Sequence, residues 1–248
     1  MSIEKKYLDI KNSFNKASDT YLRYSHLQSE ICNQLLQIIK ETETTHKVVD
    51  FACGTGIGVE KLLQRFNDIK ICYAVDIADK LLKIAKRNLV GKNIQFIEKN
   101  FNENIFGENA LDLGLCNMGF QWSLDLMHTF QVMYEQLKVG GILAFSIPLH
   151  GSFNQLKPEH RNDFYHDTVI VNMLKQQKFN LIQYKTLHYN QFFTSALHAL
   201  RSIKRIVGNL LIHEKRNRFF TKELENFFID PKKISLAYRI GLFTAHKS

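Results

Sequence analysis

Proline is almost missing from these 248 residues, with three in all; cysteine (four) and tryptophan (one) are nearly as scarce. With only 12 glycines as well, the chain is neither collagen-like nor a Pro/Gly-rich low-complexity polymer. Cys32, Cys53, Cys72 and Cys116 form no C-x-x-C pair and flank no histidines at zinc-ligand spacing. This pattern excludes a disulfide framework and points to a reduced protein without a structural metal. No segment approaches the roughly 20 apolar residues of a membrane span. Glu4, Lys5, Lys6 and Asp9 also interrupt the start where a secretory signal would be apolar, so the expected location is the cytoplasm. Neither a repeat nor a Ser/Gly/Pro linker divides the chain, and its length suits one core with appendages.

What is present is an ordinary globular composition, 45% hydrophobic and 23% charged, which excludes wholesale disorder. The formal charge of +9 is concentrated: between Arg201 and Lys222 stand seven basic residues and one acid, Glu214. Such a segment is a solvated helix face or a docking surface for an acidic partner, and charge alone does not choose.

Hydrophobic periodicity predicts helices over 3–41, then a strand at 48–52, a glycine turn at 53–58, a helix at 59–66 and a strand at 70–75. The alternation continues with a helix at 79–88, strands at 94–98 and 111–116, a helix at 124–137 and a strand at 142–147. Beyond Gly151 the pattern predicts a helix at 168–177, a strand at 181–189, helices at 194–206 and 214–228, and a last strand at 234–244. Alternating strands and helices imply a mostly parallel α/β sheet covered on both faces.

The strongest local signal is Val48-Val49-Asp50-Phe51-Ala52-Cys53-Gly54-Thr55-Gly56-Ile57-Gly58, a buried strand, a loop with alternate glycines, and a helix start. In a dinucleotide fingerprint the third glycine would stand where Val59 is, and in a P-loop Gly58 would precede Lys rather than Val59-Glu60. Asp50, just before the loop, would repel a pyrophosphate. A nucleoside carrying an ammonium group and no phosphate fits instead, and S-adenosylmethionine is such a ligand. Asp76, 22 residues after Gly54, stands where a strand-end acid can accept both ribose hydroxyls. Cys53 reads as a small residue filling a tight turn.

These residues resemble the class I S-adenosylmethionine-dependent methyltransferases, through VVDFACGTGIG, YAVDIA and LKVGGILAFS (137–146). A narrower resemblance is to the malonyl-[acyl-carrier protein] O-methyltransferases of biotin synthesis. It is carried by Phe14-Asn15-Lys16-Ala17-Ser18-Asp19-Thr20-Tyr21 with Leu27-Gln28, by Asn117-Met118-Gly119-Phe120-Gln121-Trp122, and by the stretches 195–209 and 234–247. Departures from that family's pattern are Ser18, Asn100, Gly119, Phe120, Val139 and the run Val207-Gly208-Asn209.

The resemblance implies a seven-stranded, mostly parallel Rossmann-like sheet with helices on both faces. It divides the chain into an N-terminal helical lid (1–46), a cofactor-binding core (47–190), a basic helical insertion (191–233) and a closing strand (234–248). It implies S-adenosylmethionine as cofactor and S-adenosylhomocysteine as product, with no metal. Tyr21, Asp50, Ala52, Gly54, Gly56, Asp76, Ile77, Asn100, Phe101 and Asn117 would hold the cofactor. Tyr21, Gln121 and Trp122 would position the acceptor without a general base. His150, Arg201, Lys204 and Arg205 would meet the substrate or an acidic acyl-carrier protein bearing a malonyl thioester; no membrane or nucleic acid is implied.

Three other readings remain open from the residues. One is a methyltransferase acting on another small carboxylic acid. A second, an RNA methyltransferase, is disfavoured because Asn117 is not followed by Pro-Pro-Tyr. The third is a non-catalytic S-adenosylmethionine-binding scaffold.

Overall fold

The computed structural model describes residues 2–21, 26–40, 45–206, 224–230 and 232–248; side chains of residue 17, of 19–21 and of 203–206 are outside this description. Seven strands form one sheet: β1 (Lys47–Phe51), β2 (Ile71–Asp76), β3 (Ile94–Glu98), β4 (Leu111–Asn117), β5 (Leu137–Pro148), β6 (Phe179–Phe192) and β7 (Ser235–Lys247). Their spatial order is β3-β2-β1-β4-β5-β7-β6. The first five pair in parallel, and β7 runs antiparallel to both β5 and β6.

The apolar runs of β1, β4 and β5 need cover on both faces, and helices supply it. On one side α2 (His26–Gln37), α3 (Ile57–Arg65), α4 (Asp79–Asn88) and α7 (Ala196–Ile206) contribute Ile31, Leu35, Leu62, Leu82 and Leu200 to a core with Val48, Leu113 and Leu242. On the other, α5 (Leu126–Gln136) and α6 (Asp167–Gln176) pack Phe130, Met133, Ile170 and Leu174 against Phe51, Phe145 and Phe243. No helix of the described residues is long and apolar enough to cross a membrane.

The order of strand addition reverses between the parallel neighbours β1 and β4: β1 leads outward to β2 and β3, whereas β4 leads the other way to β5. A crevice opens outside the carboxyl ends of these two strands, the usual ligand position in such sheets. Helix α1 (Ile3–Tyr21) lies across it. Lys11 Nζ meets Glu98 Oε1 at 2.5 Å, and the Tyr7 hydroxyl accepts from Asn102 Nδ2 at 2.8 Å. Asn15 bonds Asp79 Oδ1 through Nδ2 (2.8 Å) and accepts the Lys80 N–H through Oδ1 (3.1 Å). Asn15 therefore serves as a tertiary cap for the free N–H groups of α4, whose own cap position holds Ala78 and gives no side-chain bond.

Strand β5 starts five residues earlier than periodicity predicts, because Leu137 pairs with Leu111. Helix α5 stops one residue before it, where buried Gln136 turns Oε1 to the N–H groups of Ile105 (2.8 Å) and Phe106 (3.1 Å). The helix predicted over 214–228 lies outside the described residues for all but its last five positions, as does most of the basic cluster.

Candidate active site

The loop after β1 turns in three steps. Ala52 adopts φ 63°, Gly54 φ 55° and Gly56 φ 93°, so successive left-handed residues fold the chain back into α3. Asp76, at the end of β2, fastens this loop: Oδ2 accepts the Gly54 N–H at 2.8 Å and Oδ1 the Ala78 N–H at 2.8 Å. Burial raises its carboxyl to a pKa of about 6 against these backbone donors. Asp50 is 2% exposed and accepts the Val59 N–H near the start of α3. Burial first, and the charge of Asp76 second, push its carboxyl well above the usual carboxylate range. Gly58 is required by this arrangement, since a Cβ there would overlap the Asp50 carboxyl group.

Around this loop three buried oxygens have no hydrogen-bond partner: Asp50 Oδ1, Thr55 Oγ and Gln28 Oε1. All three residues line one small cavity with Gly54, Gly58 and Asn117. A buried acceptor without a donor costs about 1–3 kcal/mol, and three together, one on a carboxyl, describe a place for a multi-donor cation such as an ammonium group. Gln28 was not among the site residues predicted from the sequence; its one signal was the Leu27-Gln28 pair of the N-terminal resemblance.

A second cavity adjoins the first. Ala52, Asp76, Ile77 and Phe101 line it from the sheet side, Ile10 and Phe14 from α1, and Trp122 from the 3-10 turn Phe120–Trp122. Trp122 and Phe14 meet edge to face at 4.8 Å. Apolar walls with one buried acid, Asp76, suit a nucleoside. The free space there is ≈ 50 Å³, well below the roughly 300–1,000 Å³ of small-molecule pockets.

Asn117, lining both cavities, is held in one orientation. Its Oδ1 accepts from Ser146 Oγ (2.8 Å), whose oxygen accepts the Met118 N–H (2.8 Å); its Nδ2 donates to the Gln28 carbonyl (3.0 Å). This chain ties β5, β4 and α2 together and fixes Gln28 over the loop.

The remaining predicted residues are spread more widely. Asn100 spends Oδ1 on the N–H of Asn102 (3.1 Å) and on its Nδ2 (2.9 Å). Gln121 faces a different cleft, and His150 stacks on His166 with ring centroids 4.0 Å apart. Arg201 is on the solvent face of α7, while the side chains of Tyr21, Lys204 and Arg205 lie outside the described residues. Burial pushes the Cys53 thiol up, so it stays protonated and unreactive at neutral pH.

Two loops touch at Gly119, where a Cβ would lie 2.7 Å from Ala52 Cβ and 2.5 Å from Cys116 Sγ. Gly119→Ala is expected to destabilise the protein by about 1–3 kcal/mol through overpacking. Ala52→Gly removes one of the clashing methyls and also relaxes a left-handed non-glycine residue. Denaturant titrations of both single variants and the double variant should give a favourable coupling energy; additive effects would show that the two loops do not press on each other.

Sheet order, glycine loop and strand-end acid together define a class I methyltransferase. A family model described as a methyltransferase domain matches residues 49–145. The YcgJ protein of Bacillus subtilis superimposes with a TM-score of 0.62 at 14% identity, covering 90% of this chain and 98% of that one. Phosphoethanolamine N-methyltransferase 2 of Haemonchus contortus, solved with S-adenosyl-L-methionine, gives 0.58 at 18% identity over 87% of this chain and 52% of that one. At those identities the likeness is one of fold. Among curated relatives, malonyl-[acyl-carrier protein] O-methyltransferase 2 of Coxiella burnetii is 43% identical over 240 residues, 96% of this chain and 95% of its own length. Malonyl-[acyl-carrier protein] O-methyltransferase 1 of Ilyobacter polytropus is 28% identical over 86% of this chain and 82% of its own length. The chain belongs to the malonyl-[acyl-carrier protein] O-methyltransferase family.

Proposed function

We propose that the protein transfers a methyl group from S-adenosylmethionine to the free carboxylate of a malonyl thioester on an acyl-carrier protein, a reaction of biotin synthesis. The observation that carries this reading is the set of three unpartnered buried oxygens beside the glycine loop, in a chain of this family. S-Adenosylmethionine supplies a methyl carbon on a sulfonium sulfur, which keeps the bonding electron pair when a carboxylate oxygen takes the methyl. Asp50 and Gln28 would accept from the ammonium group of the amino-acid tail, and Thr55 stands within the same cavity. Asp76 would take the ribose hydroxyls, and Ile77, Phe101 and Trp122, which line the adjoining cavity, would hold the base.

A malonyl carboxylate is already ionised at neutral pH, so the protein has no proton to remove. Its work is alignment and exclusion of water, an effect worth up to about 7–11 kcal/mol. Ile10 and Phe14 close the crevice from above, and Asn117 holds Gln28 in register from below. The basic segment beginning at Arg201, with Lys204 and Arg205, suits docking of an acidic carrier protein in the cytoplasm.

The test is methyl-ester formation on malonyl-carrier protein beside malonyl-CoA, free diacids and RNA. Ester formation on the carrier-bound substrate, with a KM raised by Lys204→Glu/Arg205→Glu, is the expected result. Methylation of RNA or of free diacids alone would overturn the reading.

Acidity should move stability and cofactor affinity in opposite directions. Asp50 and Asp76 both titrate above their unfolded values, so their contribution to stability is fully present below about pH 4 and is lost as pH rises through about 6 for Asp76. The ligand needs both carboxylates ionised. Affinity for S-adenosylmethionine should therefore fall about tenfold per pH unit below about 6, and more steeply where Asp50 also gains a proton. Calorimetry in buffers of different ionisation enthalpy should record proton release on binding; a pH-independent affinity between 5 and 8 would contradict these assignments.

A further inference from the structure

On the far side of the Phe120–Trp122 turn from the nucleoside cavity lies a separate cleft of ≈ 300 Å³, at the lower end of the range for small-molecule pockets. Its floor is apolar and buried: Phe120, Leu126, Ile147 and Pro148, from the turn, the start of α5 and the end of β5. Its mouth is the segment 162–165, where Asp163 and Tyr165 are exposed. The Tyr165 carbonyl holds this segment to the core by accepting the His150 N–H at 2.9 Å.

One polar atom in the wall is unsatisfied. Gln121 donates through Nε2 to the Met118 carbonyl at 2.7 Å, which fixes the amide and leaves Oε1 buried without a partner. The cleft thus asks for an N–H donor. It does not ask for an anion: among the described residues no lysine or arginine lines it, and its one carboxylate is that of Asp163 at the mouth. A carboxylate or phosphate is disfavoured by that lining, whereas a neutral, partly apolar, amide-bearing chain matches it.

We propose that this cleft binds the pantetheine arm through which an acyl thioester is presented, with an amide N–H of the arm donating to Gln121 Oε1. The inference rests on the thioester reading above and names the part of the substrate that the protein grips. An arm lying on the Leu126 and Ile147 floor brings its thioester end to Gln121, whose neighbour Trp122 is a wall of the nucleoside cavity. The phosphate and the carrier protein stay outside the mouth. Gln121 is then a positioning residue for the acceptor, and Trp122 belongs to the cofactor side of the same turn.

The test compares two acceptors, malonyl-pantetheine and the S-methyl thioester of malonate, which has no amide. The wild-type enzyme is expected to prefer malonyl-pantetheine by about tenfold or more in kcat/KM, chiefly through KM. Leu126→Trp, which fills the floor, and Gln121→Leu, which removes the acceptor at similar volume, should each bring that ratio towards one, with S-adenosylmethionine affinity as in the wild type. A ratio that stays at its wild-type value in Gln121→Leu, or in a folded Leu126→Trp, overturns the proposal while leaving the methylation reading intact. Where the wild type esterifies neither small thioester, the methylation reading fails only if malonyl-carrier protein is not esterified either. Titration with pantetheine alone then decides the cleft: saturable binding lost in Gln121→Leu supports it, and no binding overturns it.

Discussion

Replacing Asp50 by Asn should abolish useful cofactor binding while leaving the fold at least as stable. Asp50 accepts the Val59 N–H through one carboxyl oxygen and leaves Oδ1 buried and unpaired beside Gln28 and Thr55. An asparagine keeps the first bond with its oxygen. It presents an NH2 group in the cavity where the ammonium of S-adenosylmethionine would sit, so an attraction becomes a repulsion. Removing one partner of a buried charged pair costs about 2–5 kcal/mol, which corresponds to roughly 30-fold to several-thousand-fold in Kd. The free protein meanwhile loses a carboxyl that burial makes expensive to ionise. The expected pair of readings is a Tm equal to or above that of the wild type and a Kd weakened by at least 30-fold. A large fall in Tm with unchanged affinity would mean that Asp50 serves the fold and not the ligand.

Gly58→Ala should lose both stability and binding. The added methyl overlaps the Asp50 carboxyl group, and neither side yields easily, because Gly58 is buried in α3 and Asp50 is a buried residue of β1. Overpacking of this kind costs about 1–3 kcal/mol. Any relief comes from rotating the carboxyl away from the Val59 N–H, which moves Oδ1 out of the tail cavity. Cofactor affinity is therefore expected to drop by about a hundredfold or more, even in variant protein that is fully folded at assay temperature. Gly91→Ala supplies the control: its φ is positive, at 81°, unlike that of helical Gly58, and a Cβ there meets nothing within 4 Å. It should cost some stability and leave Kd unchanged.

Gly58 also marks what could be read from the sequence. The run from Val48 to Gly58 carries its message locally, since a buried strand, alternate glycines and an acid 22 residues beyond Gly54 identify the loop and the sugar-side carboxylate. In sequence Gly58 is simply the last glycine of that run, whereas in the structure it clears room for Asp50. Gln28 shows the opposite limit. Its place in the tail cavity depends on Asn117 gripping its carbonyl from 89 positions away, and on Ser146 orienting Asn117, a relay that no local spacing encodes. Strand β7 is legible as a strand, but its place between β5 and β6 rests on antiparallel pairing with strands that end or begin far away in the sequence, which no local pattern encodes. The Gln121 cleft was invisible for a related reason: adjacent residues of one 3-10 turn, Gln121 and Trp122, face two different cavities.

The most direct measurement is an equilibrium titration of wild-type and Asp50→Asn protein with two ligands, S-adenosylmethionine and 5′-deoxy-5′-methylthioadenosine, which keeps the nucleoside and lacks the amino-acid tail. Both ligands are expected to bind the wild type, and the substitution to weaken S-adenosylmethionine by at least 30-fold while leaving methylthioadenosine unchanged. Equal losses for the two ligands, or no loss for either, would contradict the placement of the cofactor's ammonium group among Gln28, Asp50 and Thr55.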